Sequence, residues 1–120
     1  MASQWEIEYG YSDAVRSGDL LFCSGQVGLE ADGSVPSDPT RQYELAFATI
    51  GALLEANGVG PQDLVDLTSF HVDYPNHMAE FMAVKAKFQE DARPAWTAIG
   101  AAALGKPGIL VEIKATARIA

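Results

Sequence analysis

The chain has 120 residues, with sixteen Asp and Glu against eight Lys and Arg, a net charge of -8, and 48% hydrophobic residues. This length and composition predict one folded domain, residues 1–120, and argue against a disordered chain. The negative charge would repel a phosphate backbone and an anionic lipid surface, so we expect neither nucleic acid nor membrane as a partner.

Compartment is indicated by cysteine usage and by the N-terminus. The single cysteine, Cys23, cannot close a disulfide within the chain, so nothing points to an oxidising compartment. The N-terminal MASQWEIEYG lacks the basic and apolar regions of a signal peptide, and the longest apolar run, residues 45–54, is shorter than the ~20 residues of a membrane span. We therefore expect a soluble, cytoplasmic protein.

The first predicted elements are strands. Residues 4–9 alternate, with Trp5, Ile7 and Tyr9 on one side, which is typical of a strand with one face in water. Residues 13–16 and 19–27 flank Ser17-Gly18 and are predicted to form a β-hairpin. The second arm is apolar on both faces until Ser24, so it should be covered on both sides.

Two helices and a strand follow. Asp38-Pro39 resembles a helix start and Asn57-Gly58 a helix end. A strand is predicted over residues 65–74, and a second helix from Pro75-Asn76 to about Asp91. Both helices have apolar side chains three and four residues apart, which predicts one buried face for each. These positions are Tyr43, Ala46, Phe47, Ile50, Leu53 and Leu54 in the first helix and Met78, Phe81, Met82, Val84 and Phe88 in the second.

The last quarter, residues 93–120, is predicted to form two strands paired with each other through a Gly and Pro turn. Strict alternation in the final strand separates an apolar face from a polar face that carries Glu112. The apolar positions are Ile109, Val111, Ile113, Ala115, Ala117 and Ile119, and the others are Leu110, Glu112, Lys114, Thr116 and Arg118.

These elements predict an α+β fold in which two helices cover one face of a sheet. The opposite face, which includes part of residues 20–27, would be left without a cover. Homo-oligomerisation through that face would bury it and would place pockets between subunits.

Four segments in the same order resemble the Rid (YjgF) family of reactive intermediate deaminases, also labelled endoribonuclease L-PSP. They are Y-S-D-A-V at 11–15, L-F-C-S-G-Q-V at 21–27, T-R-Q at 40–42, and P-A at 94–95 followed by L-V-E-I at 110–113. The resemblance implies a chorismate-mutase-like α+β fold with one mixed sheet and two helices on one face. It also implies a homotrimer with clefts between subunits, and hydrolysis of enamines and imines without metal or organic cofactor.

The chain departs from the best-studied branch of that family at the C-terminal motif. There an arginine of P-A-R-[ST] clamps the substrate carboxylate, whereas this chain has Trp96 followed by Thr97. Ala98 stands where that branch often has a small polar residue or cysteine, and Met82 where an asparagine often lines the cleft. Tryptophan cannot replace a bidentate guanidinium, so the chain resembles an Arg-lacking branch. Arg16, Arg41 and Arg93 are the open alternatives for the clamp.

Glu112 is the predicted catalytic residue, because a partly buried carboxylate could take a proton from water attacking C=N and return it to the nitrogen. The alternative is a solvent-facing carboxylate paired with Lys114 or Arg118.

The predicted substrate-binding residues are Tyr11, Gly25, Gln26, Met82, Trp96, Thr97 and Ala98. Trp96 could supply a stacking wall or pack at a subunit interface. The Tyr11 hydroxyl could donate a hydrogen bond to the substrate, or its ring could simply be packed against the fold. Gly25 could let a ligand approach the backbone closely, or it could mark a β-bulge. His71 lies on the more polar face of its strand, where it could be a general base, although a structural role is favoured because no metal-ligand spacing accompanies it. Cys23 is expected to be buried and inert.

The predicted function is cofactor-independent hydrolysis of enamine or imine intermediates at a subunit-interface cleft, different from the Arg-clamped 2-imino acid type. The alternative is a non-catalytic small-molecule-binding or regulatory trimer of the same fold. Ribonuclease activity fits the acidic composition poorly.

Overall fold

A computed structural model describes residues 3–119; residues 1, 2 and 120, the ends of the predicted domain, lie outside the described residues. Within that range the chain forms three α-helices, five strands and a short 3-10 helix. Their bounds are α1 Gln4–Tyr9, β1 Ala14–Ser17, β2 Leu20–Gln26, α2 Pro39–Ala56, the 3-10 helix Pro61–Asp63, β3 Leu64–Val72, α3 Met78–Gln89, β4 Ala95–Ala101 and β5 Val111–Arg118.

The five strands form one mixed sheet in the order β1-β2-β5-β3-β4. All neighbours are antiparallel except β3 and β4, which are parallel. The predicted pairing of the last two strands is therefore wrong, because β3 lies between them. The helix α3 connects β3 to β4, and a parallel pair needs such a crossover. Residues 102–110 then carry the chain past β3, a segment too long for a tight hairpin turn.

The core lies between one face of the sheet and the helices α2 and α3, as predicted. In β5 the alternation is confirmed, since Val111, Ile113, Ala115 and Ala117 are all buried against the helices. Phe81 is the buried residue of α3 and packs edge-on against Tyr43 of α2, with ring centroids 5.3 Å apart. Met82, predicted to share that apolar face, is instead 51% exposed.

The opposite face of the sheet carries large apolar side chains without a helix over them. Phe22 of β2 is 44% exposed and Ile99 of β4 is 41% exposed, and Val15 of β1 is exposed as well. Phe22 is the outward side chain of the strand that was expected to be covered on both faces. Within residues 3–119 nothing covers it.

The N-terminal segment is a helix, so the predicted strand over residues 4–9 is wrong. The Ser3 side chain accepts from the Glu6 backbone N–H while the Glu6 carboxylate accepts from the Ser3 backbone, a reciprocal capping box. Gly10 ends the helix with φ +69°, which glycine adopts without a steric penalty. Six alternating residues fit a helix as well as a strand, and here the caps at both ends decide.

The predicted start of α2 is confirmed, whereas α3 begins later in the chain than its sequence signals predicted. Asp38 caps α2 by accepting from the Thr40 backbone at 3.2 Å, with Pro39 in the first turn. The second helix begins at Met78, later than predicted, because Asn76 is held in a turn by backbone and side-chain bonds to Asp73. His77 then has a left-handed backbone, so the helix cannot begin before it.

Candidate active site

A cavity of about 690 Å³ opens beside the ends of β2 and β5 and is the principal candidate site. That volume suits a small molecule. It brings together four of the eight predicted site residues, namely Tyr11, Gly25, Gln26 and Glu112. Sequence reasoning missed the rest of the wall, which is mostly aromatic and apolar: Trp5, Tyr9, Val27, Leu29, Thr49, Gly105, Lys106 and Ile109.

Glu112 lies directly against the backbone of Gly25. A β-carbon added to Gly25 would overlap Oε2 of Glu112 and come within 2.8 Å of its Cδ. The pairing of β2 with β5 also shifts register between Cys23 and Gln26. Gly25 therefore lies at an irregularity of the strand pairing, and its missing side chain leaves the space that the Glu112 carboxylate occupies.

The ion pairs in the described residues are Arg41–Glu30 and His77–Glu80, so the alternative in which Glu112 pairs with Lys114 or Arg118 is not seen. Glu112 is only half-buried and it lines the cavity. A carboxylate with this setting is open to a ligand or a water molecule.

Gln26 and Tyr11 offer polar groups at the same wall. The Gln26 amide nitrogen donates to Asp13 Oδ1 at 3.2 Å and to the Ser24 carbonyl at 3.3 Å, which leaves the side-chain oxygen as an acceptor for a ligand. Burial, together with the carboxylates of Asp13 and Glu6, raises the pKa of the Tyr11 phenol. The Tyr11 hydroxyl therefore keeps its proton at neutral pH and can donate a hydrogen bond.

The helix α1 brings two further aromatic rings to the cavity, and Glu6 holds that helix in place. One oxygen of Glu6 accepts from the Ser3 backbone at 2.6 Å, and the other accepts from the Asp13 backbone at 2.7 Å, just before β1. These bonds lower the pKa of Glu6. Trp5 and Tyr9 fall on the cavity side with their rings edge to face, 6.4 Å apart. The Ser-x-x-Glu capping signature was the sequence signal for this helix.

The loop 102–110 forms another wall, and Gln42 fastens it. This glutamine of α2 is 2% exposed; its nitrogen donates to the carbonyls of Pro36 at 2.9 Å and Gly108 at 2.8 Å, and its oxygen accepts from the Leu110 backbone at 2.9 Å. The bonds to Gly108 and Leu110 fix the loop that carries Lys106 to the start of α2, and the third bond fixes Pro36.

None of the three arginines considered as clamps lines this cavity in the described part of the chain. Arg41 instead forms a bidentate pair with Glu30, with nitrogen-to-oxygen distances of 2.9 and 3.1 Å. Lys106 is the cation that the cavity wall contains.

The other four predicted residues, Met82, Trp96, Thr97 and Ala98, are not part of this cavity in one chain. Trp96 and Ala98 align with Leu67 and Ser69 of β3, so they point to the helix side, whereas Thr97 points to the uncovered side.

Trp96 is occupied within its own chain. Its Nε1–H donates to Ser69 Oγ at 2.9 Å, its ring stacks on Phe81 at 6.1 Å, and the Lys85 ammonium lies 4.3 Å from the ring centroid. Such a cation–π contact contributes about 0.5–2 kcal/mol. Trp96 therefore has a packing role in one chain.

Comparison with known proteins decides the family. The Endoribonuclease L-PSP family matches the chain over residues 2–119. The chain belongs to this family, the Rid (YjgF) group. The RutC family protein YjgH of Escherichia coli strain K12 is 46% identical over 113 residues, which span 93% of this chain and 85% of that protein.

Two further relatives bear on fold and chemistry. A crystal structure of Rv2704 from Mycobacterium tuberculosis, a member of the YjgF/YER057c/UK114 family, superposes with a TM-score of 0.86 at 31% identity, covering 98% of this chain and 93% of that one. A 2-iminobutanoate/2-iminopropanoate deaminase of Dermatophagoides farinae is 30% identical over 98 residues, 80% of this chain and 76% of that protein.

In this Rid family chain His71 has a structural role, on the face of β3 where the sequence placed it. The more polar face of β3 is the buried one, and His71 is 2% exposed there. Its Nε2 lies 2.8 Å from Ser69 Oγ. The Ser69 hydroxyl accepts from the Trp96 N–H, and its own proton can be donated to the ring nitrogen of a neutral His71. Burial lowers the pKa of His71, in agreement with that state.

Cys23 is buried, and burial followed by the charge of Asp13 raises the pKa of its thiol, so it is a poor nucleophile. The described residues contain no group of three or more His, Cys, Asp or Glu that could hold a metal ion. No described helix is long and apolar enough to cross a membrane.

Proposed function

We propose that this Rid family protein hydrolyses enamine or imine intermediates, releasing ammonia, without a cofactor and with Glu112 as its catalytic residue. The observation that carries the proposal is the Glu112 carboxylate lying against Gly25 in the wall of a cavity sized for a small molecule. The imine deaminase named among its relatives supports the same class of reaction.

The proposed reaction needs one group that first accepts a proton from water and later donates it to the leaving nitrogen. Water attacks the carbon of the protonated imine, an iminium ion, while Glu112 takes one of the water protons, which gives a neutral tetrahedral carbinolamine. The protonated Glu112 then gives this proton to the nitrogen, the C–N bond breaks, and the remaining hydroxyl proton passes through Glu112 to the departing ammonia, which leaves as ammonium with a carbonyl product. An enamine substrate first accepts a proton from solvent on carbon, which gives the same iminium ion. Gln26 and Tyr11 hold the substrate beside the carboxylate.

We further propose that a second copy of the chain completes the site in a homotrimer. Phe22 and Ile99 on the uncovered sheet face favour self-association, because exposed apolar area of this kind is commonly buried at an interface. The predicted residues also separate into the Glu112 cavity and a group near Trp96, which one chain does not bring together. A neighbouring subunit would supply the second group.

The test of the catalytic role uses imines generated in situ by amino-acid and amine oxidases, with ammonia release and semicarbazide trapping as readouts. The wild type should exceed the rate without protein. Glu112→Gln should lower kcat/KM by about 100-fold or more, the contribution of general acid–base catalysis. Glu44→Gln, at an exposed position of α2, is the matched control and should change little. Unchanged turnover in Glu112→Gln would remove the residue from the mechanism.

A non-catalytic binding trimer is the second candidate, and Trp96 is the observation that favours it. In place of a cationic clamp the chain has a ring committed to Ser69 and Phe81. This candidate predicts that no imine in the panel is hydrolysed above background, while a small molecule raises the melting temperature through the Glu112 cavity.

A further inference from the structure

The Glu112 carboxylate lines the cavity, but no polar group of the described chain holds it there. Among residues 3–119 the glutamates whose side chains form hydrogen bonds are Glu6, Glu30 and Glu80, and Glu112 is not one of them. A long side chain without such a bond keeps its rotamer freedom unless its neighbours restrict it. The position of the Glu112 carboxylate must therefore be set by the side chains beside it.

Glu112 of β5 lies between β2 and β3, and the residues that these two strands place beside it differ in size. On the β2 side is Gly25, whose missing side chain leaves the space for Oε2. On the β3 side is Phe70, which is directly opposite Glu112 in the antiparallel register. The β-carbons of directly opposite residues lie about 4.5–5.5 Å apart, so the Phe70 side chain is next to that of Glu112 if both point to the same face.

The alternation of β3 shows that they do. Ser69 and His71, the residues before and after Phe70, are 1% and 2% exposed on the helix side of the sheet. Phe70 therefore points to the uncovered face, which Glu112 shares. With an aromatic ring on one side and a glycine on the other, the Glu112 carboxylate has room on the Gly25 side only.

Phe70 is better shielded than other large apolar side chains of the uncovered face. It is half-buried, whereas Phe22 is 44% exposed and Ile99 is 41% exposed. No helix among residues 3–119 lies over this face, so the groups that shield the ring are its cross-strand neighbours, Glu112 in β5 and Ile99 in β4. The ring is not part of the cavity wall. A ligand in the cavity would therefore meet the carboxylate and not the ring.

We propose that Phe70 is a positioning residue for Glu112: its ring keeps the carboxylate against Gly25, at the cavity wall, and takes the place of the hydrogen bond that this carboxylate lacks. The inference rests on the proposed function, in which the same carboxylate moves the proton of the attacking water. A displacement of about 1 Å costs about 100-fold in rate, so without the ring the reaction slows in proportion to the time that Glu112 spends away from Gly25. Phe70 acts on the chemical step only through Glu112.

The first measurement is the rotamer of Glu112, which does not depend on activity. Three-bond NMR couplings should show one χ1 and χ2 rotamer in the wild type and an average of several in Phe70→Ala and in Phe70→Val, which lacks the ring but favours a strand. Phe70→Leu keeps most of the bulk and should keep the single rotamer. Val72→Ala, at the next outward position of β3 and opposite Ala101, is the matched control and should resemble the wild type. A single Glu112 rotamer in Phe70→Ala or Phe70→Val, or averaging already in the wild type, overturns the inference.

The second measurement separates kcat from KM for one imine. Phe70→Ala and Phe70→Val should lower kcat by about tenfold, as expected if the productive rotamer is populated about a tenth of the time, and should leave KM within about twofold. Phe70→Leu should recover most of kcat, and Val72→Ala should match the wild type. A rise in KM without a fall in kcat would place the ring in substrate binding and contradict the positioning role. A fall in kcat accompanied by a smaller assembly mass would assign the effect to self-association and contradict it as well.

The two measurements together separate this inference from the proposed function. A Glu112 rotamer that depends on Phe70, in a protein that hydrolyses no imine, supports the positioning and refutes the catalysis. Hydrolysis that is lost in Glu112→Gln, with rotamer and kcat unchanged in Phe70→Ala, supports the catalysis and refutes the positioning.

Discussion

Gly25→Ala is predicted to inactivate the site while leaving the fold intact. A methyl group there would overlap Oε2 of Glu112 and lie within 2.8 Å of its Cδ and 2.9 Å of its Cγ. The carboxylate is the flexible end of its side chain, so it should move by about 1 Å, and a displacement of that size costs about 100-fold in rate. Gly25 does not have the positive φ that alanine avoids, so the free energy of unfolding should change by less than about 1 kcal/mol.

A double-mutant cycle tests whether the loss passes through Glu112. Alanine at residue 112 removes the side chain that the new methyl would displace, so Gly25→Ala should cost almost nothing further in a Glu112→Ala background. kcat/KM for one imine and urea denaturation are measured for wild type, both single variants and the double variant. Full activity in Gly25→Ala, or an equal loss in both backgrounds, would refute the reasoning from this contact.

Two further predictions concern the supports of the cavity. Gln42→Ala should lower the free energy of unfolding by about 2 kcal/mol, because buried groups at Pro36 and Gly108 lose their partner. Urea denaturation measures this change, with Gln62→Ala at an exposed position as the control. Equal stabilities of the two variants would contradict the role of Gln42. Backbone donors lower the pKa of Glu6 in the folded chain below its unfolded value of 4.5. The stabilisation of α1 by the Glu6 carboxylate should therefore be fully present above pH 4.5, and it should be lost as the pH falls through the folded pKa. Tryptophan fluorescence should report that acid transition, which Trp5→Phe and Glu6→Gln should both lack; the same transition in Glu6→Gln would refute the assignment.

Much of the fold could be predicted because the signals are local. Alternation in the last strand identified its buried face, and Asp38-Pro39 identified the start of α2, since caps and periodicity depend on neighbours in sequence. Likewise, the motifs at residues 11–15 and 21–27 named side chains that the structure brings to one cavity with Glu112.

The errors come from contacts between distant residues and from short elements. Strand pairing depends on which partner buries more area, so β3 separates the last two strands although nothing local indicates it. Lys106 was missed because it lies in a loop, and only the bonds of Gln42 across the fold bring that loop to the cavity. The sequence did not indicate that the more polar face of β3 is the buried one, because the bonds of Ser69 to His71 and Trp96 satisfy the polar groups there only in the folded chain.

Trp96 belongs to a buried hydrogen-bond network on the helix side of the sheet. The Trp96 ring stacks on Phe81 of α3. The Trp96 N–H donates to the Ser69 hydroxyl, which also forms a hydrogen bond with His71. An arginine there would place a charge beside buried groups that are already paired.

The central claim is that Glu112 carries imine hydrolysis, and its most direct test is the ratio of kcat/KM between wild type and Glu112→Gln on one imine followed by semicarbazide trapping. The mechanism predicts a ratio of about 100 or more, with Glu44→Gln close to wild type. A ratio near one, with both proteins above the rate without protein, would contradict it.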